Sequence, residues 1–195
     1  VIDYDVSELF GFVRGYVSSD VETGRARMQP LMLAYGFEVV EQGGKLIFRS
    51  RNAANGSLIE TDLMAVDEDD NVSPILSRQP EAESAGRVRL TYVEADGAFE
   101  TRVSEATFPD VSSTELSQSE LALSLTRFEG RGIVERWLAE ARVARDSVKF
   151  ALPPSRRDLG AGSIVTFADG THWRIDRLEE ADVRKVEAVR VEDQI

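Results

Sequence analysis

The sequence predicts a β-rich α+β chain with antiparallel hairpins and two main helices, at about 21–35 and 130–146. Three observations carry that expectation. Apolar residues recur at i, i+3, i+4 and i+7 in two clear stretches, the mark of one buried helix face. Directly after Gly36 the hydrophobic period falls to two. Much of the second half then alternates apolar and polar residues between short turn signals.

Taken in order, Asp5 to Tyr16 fits two templates. Leu9, Phe10, Phe12, Val13 and Tyr16 suit a helix face, while Phe12 to Val17 reads equally as a short strand. Ser19-Asp20-Val21-Glu22 has the capping-box form, in which serine and glutamate side chains satisfy orphan amides at a helix start. Met28, Leu31, Met32 and Tyr35 line one face of the helix that follows, and Gly36 supplies its stop. Pro30 removes one hydrogen bond from that helix and predicts a kink or a late start.

Phe37 to Glu41 and Lys45 to Arg49 flank Gln42-Gly43-Gly44 as a hairpin, and Ser57 to Leu63 suggests a further strand. Asp67-Glu68-Asp69-Asp70-Asn71 reads as an acidic loop. Val88, Leu90 and Tyr92 alternate with polar neighbours, Asp96-Gly97 turns the chain, and Phe99, Thr101 and Val103 return. Ser112 to Ser119 is polar and reads as a loop before Leu121, Leu123 and Leu125 alternate again. Ile133, Val134, Trp137, Leu138 and Ala141 then form the apolar stripe of the second helix. After Pro153-Pro154, Ile164 to Phe167 and Trp173 to Asp176 make a hairpin around Asp169-Gly170, and Val183 to Val191 is a final strand. These elements group into an α/β lobe over 1–80 and a β-rich lobe over 85–195. The absence of an initiating methionine suggests a piece of a longer chain.

Composition narrows the chemistry. The 195 residues are 42% hydrophobic and 30% charged, an ordinary globular balance. With no cysteine, the chain has no disulfide, thiolate metal site or thiol nucleophile. A single histidine, His172, precludes a multi-histidine metal centre built from this chain. The net charge of −12 repels phosphate backbones and argues against nucleic-acid binding. No apolar run reaches the length needed to span a membrane as a helix. Of the 23 basic residues, all but Lys45, Lys149 and Lys185 are arginine, a choice suited to planar, hydrogen-bonded contacts.

Each cluster that hints at chemistry has a plainer explanation. Trp173 and Ile175 share one strand face, so His172 and Arg174 point to the other, toward solvent and without a nucleophile motif. The run Asp67 to Asn71 begins like a calcium loop, but Val72 and Arg78 stand where glycine and glutamate are required. Gly160-Ala161-Gly162-Ser163 looks like half a dinucleotide fingerprint, yet it precedes a strand and opens no helix. Its glycines read as loop residues with positive φ. Glu179-Glu180 falls in an apparent turn. Arg25, Arg27, Arg49, Arg51, Arg87 and Arg89 are interspersed with acids, as on a solvated face or a subunit contact. No catalytic, cofactor-binding or metal-ligating residue is assigned, and no cofactor is implied.

A resemblance extends this reading. Gly15-Tyr16, Gly24 to Leu31, Tyr35 to Val40 and Gly43 to Arg49 together resemble the tail-hub family of phages and gene transfer agents. The second half resembles it in the same order. Arg78-Gln79-Pro80-Glu81 precedes Val88 to Tyr92, and Arg131 to Ala141 takes the place of a family helix. Phe150 to Pro154 leads to Leu159 to Val165, and Trp173-Arg174-Ile175 matches an aromatic-Arg-Ile strand. Two departures stand out: Gly162-Ser163 replaces Gly-Asp, and Gly130-Arg131-Gly132 stands where alanine is usual.

The resemblance implies a virion structural module akin to the host-specificity hub of alphaproteobacterial gene transfer agents or prophage tails. It implies a non-enzymatic part that assembles around the tail axis as a trimer, contacts other tail and baseplate proteins, and links tube to tip. It further implies assembly in the bacterial cytoplasm and passage of DNA without binding or membrane contact. Two other classes compete: a cell-wall hydrolase, which needs a carboxylate pair or metal in a cleft, and a host-glycan-binding domain, for which Trp173 is the aromatic of interest.

Overall fold

The computed structural model describes residues 3–18, 21–51, 56–59, 64–65, 74–80, 85–109 and 115–192. In chain order the elements are β1 (Asp3–Asp5), α1 (Gly24–Tyr35), β2 (Phe37–Gln42), β3 (Lys45–Ser50), β4 (Ser57–Ile59), β5 (Ile75–Arg78) and β6 (Arg87–Glu94). There follow β7 (Thr101–Thr107), β8 (Leu116–Leu125), α2 (Arg127–Val143), β9 (Asp146–Leu152), β10 (Ile164–Phe167), β11 (His172–Glu180) and β12 (Arg184–Val191). The fold is α+β, as predicted, and the sheets mix parallel with antiparallel pairs. Two compact units emerge. One gathers Val1–Ser7, Glu38–Gln79 and Val143–Ile195; the other gathers Glu8–Phe37 and Pro80–Arg142.

The first unit holds two sheets, ordered β1-β3-β2 and β4-β10-β11-β12-β9-β5. The β2–β3 hairpin turns on Gly43 and Gly44, at φ of 60° and 78°. Two consecutive positive φ values are what a type I′ turn demands, and glycine meets that demand without strain. In the larger sheet, alternate residues of β9, β10, β11 and β12 point to one core. Val148, Phe150, Leu152, Val165, Trp173, Ile175, Val186 and Ala188 pack there with Ile59 and Leu159. Phe167 packs edge-on to Phe150, with ring centroids 5.4 Å apart.

The second unit has a three-stranded sheet ordered β7-β6-β8, with β6 antiparallel to β7 and parallel to β8. Its core joins Val88, Leu90 and Tyr92 of β6, Leu121, Leu123 and Leu125 of β8, and Ile133, Val134 and Leu138 of α2, with Ala34 of α1. Trp137 packs against this cluster half-buried.

Several elements differ from the local signals. α1 begins at Gly24, where the Thr23 hydroxyl accepts from the Ala26 N–H at 3.2 Å. The helix therefore starts late, Thr23 is its cap, and Ser19 lies outside the described residues. Its stop is as predicted: Gly36 takes the left-handed conformation and donates to the Met32 carbonyl at 3.0 Å. Asp5 to Tyr16 forms no helix; Tyr16 makes one bridge to Leu123 on the β8 edge. Leu116 to Ser119, expected as loop, opens β8, because an edge strand with solvent beside it needs no apolar alternation. α2 starts at Arg127 and ends at Val143; Ala144 and Arg145 turn the chain, and β9 begins at Asp146, where the helix was expected to end. Glu179 and Glu180 lie in β11 and not in a turn. Residues 60–63, 67–71 and 112–114, and with them the acidic loop, lie outside the described residues.

Candidate functional site

The described residues singled out for chemistry are occupied structurally; the run Asp67 to Asn71 lies outside the described residues. His172 is half-buried, and its Nδ1 lies 2.8 Å from the Thr166 hydroxyl, its register partner on β10. It faces away from the core, as the alternation predicts, but is not left to solvent. The Gly160–Ser163 loop holds no free cradle for an anion. The Ser163 hydroxyl accepts from the Gly160 N–H at 3.0 Å and from the Arg49 guanidinium. Gly162, at φ of 75°, brings the backbone so near β2 that a Cβ would sit 3.2 Å from Val40. The positive φ is as predicted there, and close approach is its use.

Arginine does most of the polar fixing. In the first unit, Arg51 donates to Glu38 at 2.8 Å, and Arg174 reaches the same carboxylate at 3.9 Å and Asp176 at 3.1 Å. Arg49 spans Gln42 at 2.6 Å and Ser163. Arg184 is buried and donates to the carbonyls of Arg156 and Leu159, holding the segment after Pro153-Pro154. In the second unit, Arg136 of α2 donates to the Leu33 and Ala34 carbonyls at 2.9 and 2.7 Å. These are two of the orphan acceptors at the end of α1, where a cation also favours the helix dipole.

Glu94, at the end of β6, is the buried carboxylate of the second unit. It accepts from Arg127 and from Arg102, the latter at 2.6 Å. The Arg127 hydrogen bond holds its pKa below the ordinary glutamate value; burial pushes the other way, and Arg102 reinforces the lowering. A carboxylate held ionised by two guanidiniums is a poor proton donor, so this pair of arginines fixes structure and does not tune an acid. Beside it lies an open groove of about 620 Å³ between β7 and α2, with Tyr92, Arg102, Phe108, Arg131 and Leu138 in its walls. Among the described residues, no three His, Cys, Asp or Glu side chains gather where they would hold a metal ion. Among the described residues, no helix is long and apolar enough to cross a membrane.

The aromatics divide sharply. Trp173 is only 4% exposed, and its indole N–H donates to Thr171 at 2.8 Å, so it offers no face to a sugar ring. Phe10, Phe12 and Phe128 are instead 92%, 66% and 85% exposed. Arg14 lies over the Phe12 ring at 4.9 Å and pairs at 3.3 Å with Glu129, which follows Phe128 in α2. Neither Glu94 with its arginines nor the Arg14–Glu129 pair is evident from sequence. The first needs the pairing of β6 with β7; the second needs an N-terminal segment laid beside the start of α2.

Comparisons with known proteins give a consistent result. The family model described as "Putative phage tail protein" matches residues 23–178. A chain from the structure "Virion of native gene transfer agent (GTA) particle" is 51% identical over 96% of this chain, with a TM-score of 0.89. This chain covers 43% of that one's length. A tail protein from Neisseria meningitidis MC58 is 13% identical over 90% of this chain and 57% of its own, with a TM-score of 0.50. At that identity the likeness is one of fold. No curated protein matches significantly.

Proposed function

The chain belongs to the phage tail protein family, and from that premise we propose that it is a structural, non-enzymatic domain of a tail-tip or baseplate hub. It assembles around the tail axis as a trimer and joins the tube to the tip. The observation that carries this reading is the 51% identity, sustained over 96% of the chain, to a component of a gene transfer agent virion. Identity at that level over a whole fold argues for a shared place in a particle of the same kind.

The polar architecture supports a holding role. Its arginines are used as staples between elements, as at Arg136 and Arg184, and its buried carboxylate Glu94 is neutralised in place. Mechanism is then assembly: identical copies bury matching surfaces, and closed symmetry ends the tube in a ring. A chain of net charge −12 suits a conduit, since like charge lets a phosphate backbone pass without sticking. Assembly takes place in the bacterial cytoplasm before the particle is released.

The test is on particles. Mass spectrometry of purified tails is expected to find the protein that carries this chain, and deletion of the chain is expected to yield particles without a complete tip. Its absence from purified tails overturns the assignment. A peptidoglycan turnover assay addresses the hydrolase alternative: activity that disappears on changing one acidic pair would replace the structural reading.

A further inference from the structure

We propose that the outer edge of β7 is a strand-acceptor site, on which an extended acidic segment of a different tail protein adds as the fourth strand of the second unit's sheet. The proposal rests on the structural role above and names a partner's chemistry and its mode of contact.

The open edge is the first observation. The Glu94 N–H donates to the Glu100 carbonyl at 2.9 Å, and the Phe108 N–H donates to the Gly86 carbonyl at 3.2 Å. The β6–β7 register runs between them without a shift. Bonded pairs alternate in an antiparallel ladder, so Thr101, Val103, Glu105 and Thr107 aim their N–H and C=O groups away from β6. Among the described residues no strand pairs on that side, and β7 ends the sheet order. The opposite edge is covered. At β8 the Ser124 N–H donates to the Gly15 carbonyl and the Val17 N–H to the Ala122 carbonyl, both at 2.9 Å, so a stretch of this chain already lies along it. Bare edges are usually blunted by lysine, proline or a bulge, and β7 has none of these.

The edge also has room beside it. The groove of about 620 Å³ follows β7 from Arg102 to Phe108, and α2 walls its far side with Arg127, Arg131, Glu135 and Leu138. Those α2 residues recur at three- and four-residue intervals, so they share one face of the helix. In strand addition, main-chain bonds to the edge supply affinity and pockets for alternate side chains supply specificity. Here the edge of β7 does the first and the groove does the second.

Charge selects the partner. The chain carries −12, yet Glu94 and Glu105 are each matched by two guanidiniums. Glu94 accepts from Arg102 and Arg127, and Glu105 pairs with Arg87 at 3.3 Å and Arg89 at 2.9 Å. Strand alternation puts the first trio on the α2 face of the sheet and the second on the other face, and each trio has one cation in excess. Arg131 and Glu135 cancel in their own pair at 2.7 Å, and Asp96 accepts from the Arg127 N–H at the hairpin end. An acidic strand therefore meets unmatched guanidinium charge on both of its faces, and the planar fork of arginine suits carboxylates. A whole second copy would bring −12 against −12, whereas a segment reaching in from another protein brings only its own charge.

The experiment follows hydrogen exchange and cross-linking of the protein that carries this chain, isolated and in purified tails. In the isolated protein the Thr101, Val103, Glu105 and Thr107 amides are expected to exchange fast and those of Arg102, Ser104 and Ala106 slowly. In tails the four outward amides are expected to slow on the order of 100-fold. A photo-reactive group at position 103 is expected to capture an acidic segment of another tail protein. Val103→Pro removes one outward N–H and leaves the β6 ladder intact. It is expected to cut incorporation into tails about tenfold. Val103→Thr is expected to incorporate normally, with circular dichroism checking that both variants fold. Should Val103→Pro melt early, exchange and capture still decide. Outward amides that stay fast in tails, or are already slow in the dilute protein, would overturn the proposal. So would capture of a second copy or of a basic segment, or a folded Val103→Pro variant that incorporates fully. Protein present in tails with its outward amides open defeats this edge alone; protein missing from tails defeats the structural role.

Discussion

At the scale of single residues, two glycines of α2 separate packing from propensity. A Cβ on Gly130 would lie 2.4 Å from Tyr92 Cζ, whereas one on Gly132 would meet nothing within 4 Å. Alanine gains about 1 kcal/mol of helix propensity at either site. At position 130 that gain is outweighed by overpacking against Tyr92, whose ring is 1% exposed, at about 1–3 kcal/mol or more. Gly130→Ala is therefore expected to lower the melting temperature and Gly132→Ala to raise it. The same contact explains the glycine at 130, where the tail-hub resemblance leads one to expect alanine; nothing in the structure explains the one at 132. Glu94 yields a pH prediction. Its pKa is lowered in the folded state, so its contribution is present above the unfolded glutamate value near 4.3 and is lost as pH falls through the folded value. Glu94→Gln is expected to reduce stability at neutral pH and to flatten the acid limb of a melting-temperature profile. An acid limb as steep as that of the unaltered chain would exclude Glu94 as its source.

At the scale of elements, α2 shows what local signals can and cannot give. Its true start is a capping box. The Glu129 N–H donates to the Thr126 hydroxyl at 3.1 Å, and the Thr126 N–H donates back to the Glu129 carboxylate at 2.8 Å. Thr126→Ala is expected to cost about 1 kcal/mol, read as a lower denaturation midpoint. The Thr-x-x-Glu pattern was in plain view, but Gly130 and Gly132 break the helical period just after it and draw the expected boundary inward. Ser19 to Glu22 has the same pattern, yet Thr23, one residue from α1, makes the cap. Short-range stereochemistry was legible wherever one residue decided it, as at Gly36 and at Gly43-Gly44. β9 was obscured because Val143 to Arg145 continue the helical composition into it. Direction of pairing was illegible: nothing local in Leu121 to Leu125 distinguishes a strand parallel to β6 from an antiparallel one. The site followed the same rule, since Arg102 stands opposite Tyr92 and meets Glu94 diagonally only through the β6–β7 register.

At the scale of the whole molecule, charge governs what the protein avoids. A net charge of −12 predicts no retention on a DNA column even at low ionic strength, where phosphate contacts are strongest. Retention that falls steeply with added salt would reveal a basic surface strong enough to override the net charge. Shape carries a different consequence. The chain passes between the two units four times, because each is gathered from alternating stretches. β12, late in the sequence, sits between β11 and β9 in the interior of its sheet, while the described elements of the other unit are complete by α2. On a ribosome, where domains fold as their residues emerge, the second unit can close early. The first must keep β9 and β11 waiting for β12, the last of its strands to emerge, and that interval leaves a nascent tail protein open to a chaperone, a protease or the wrong neighbour.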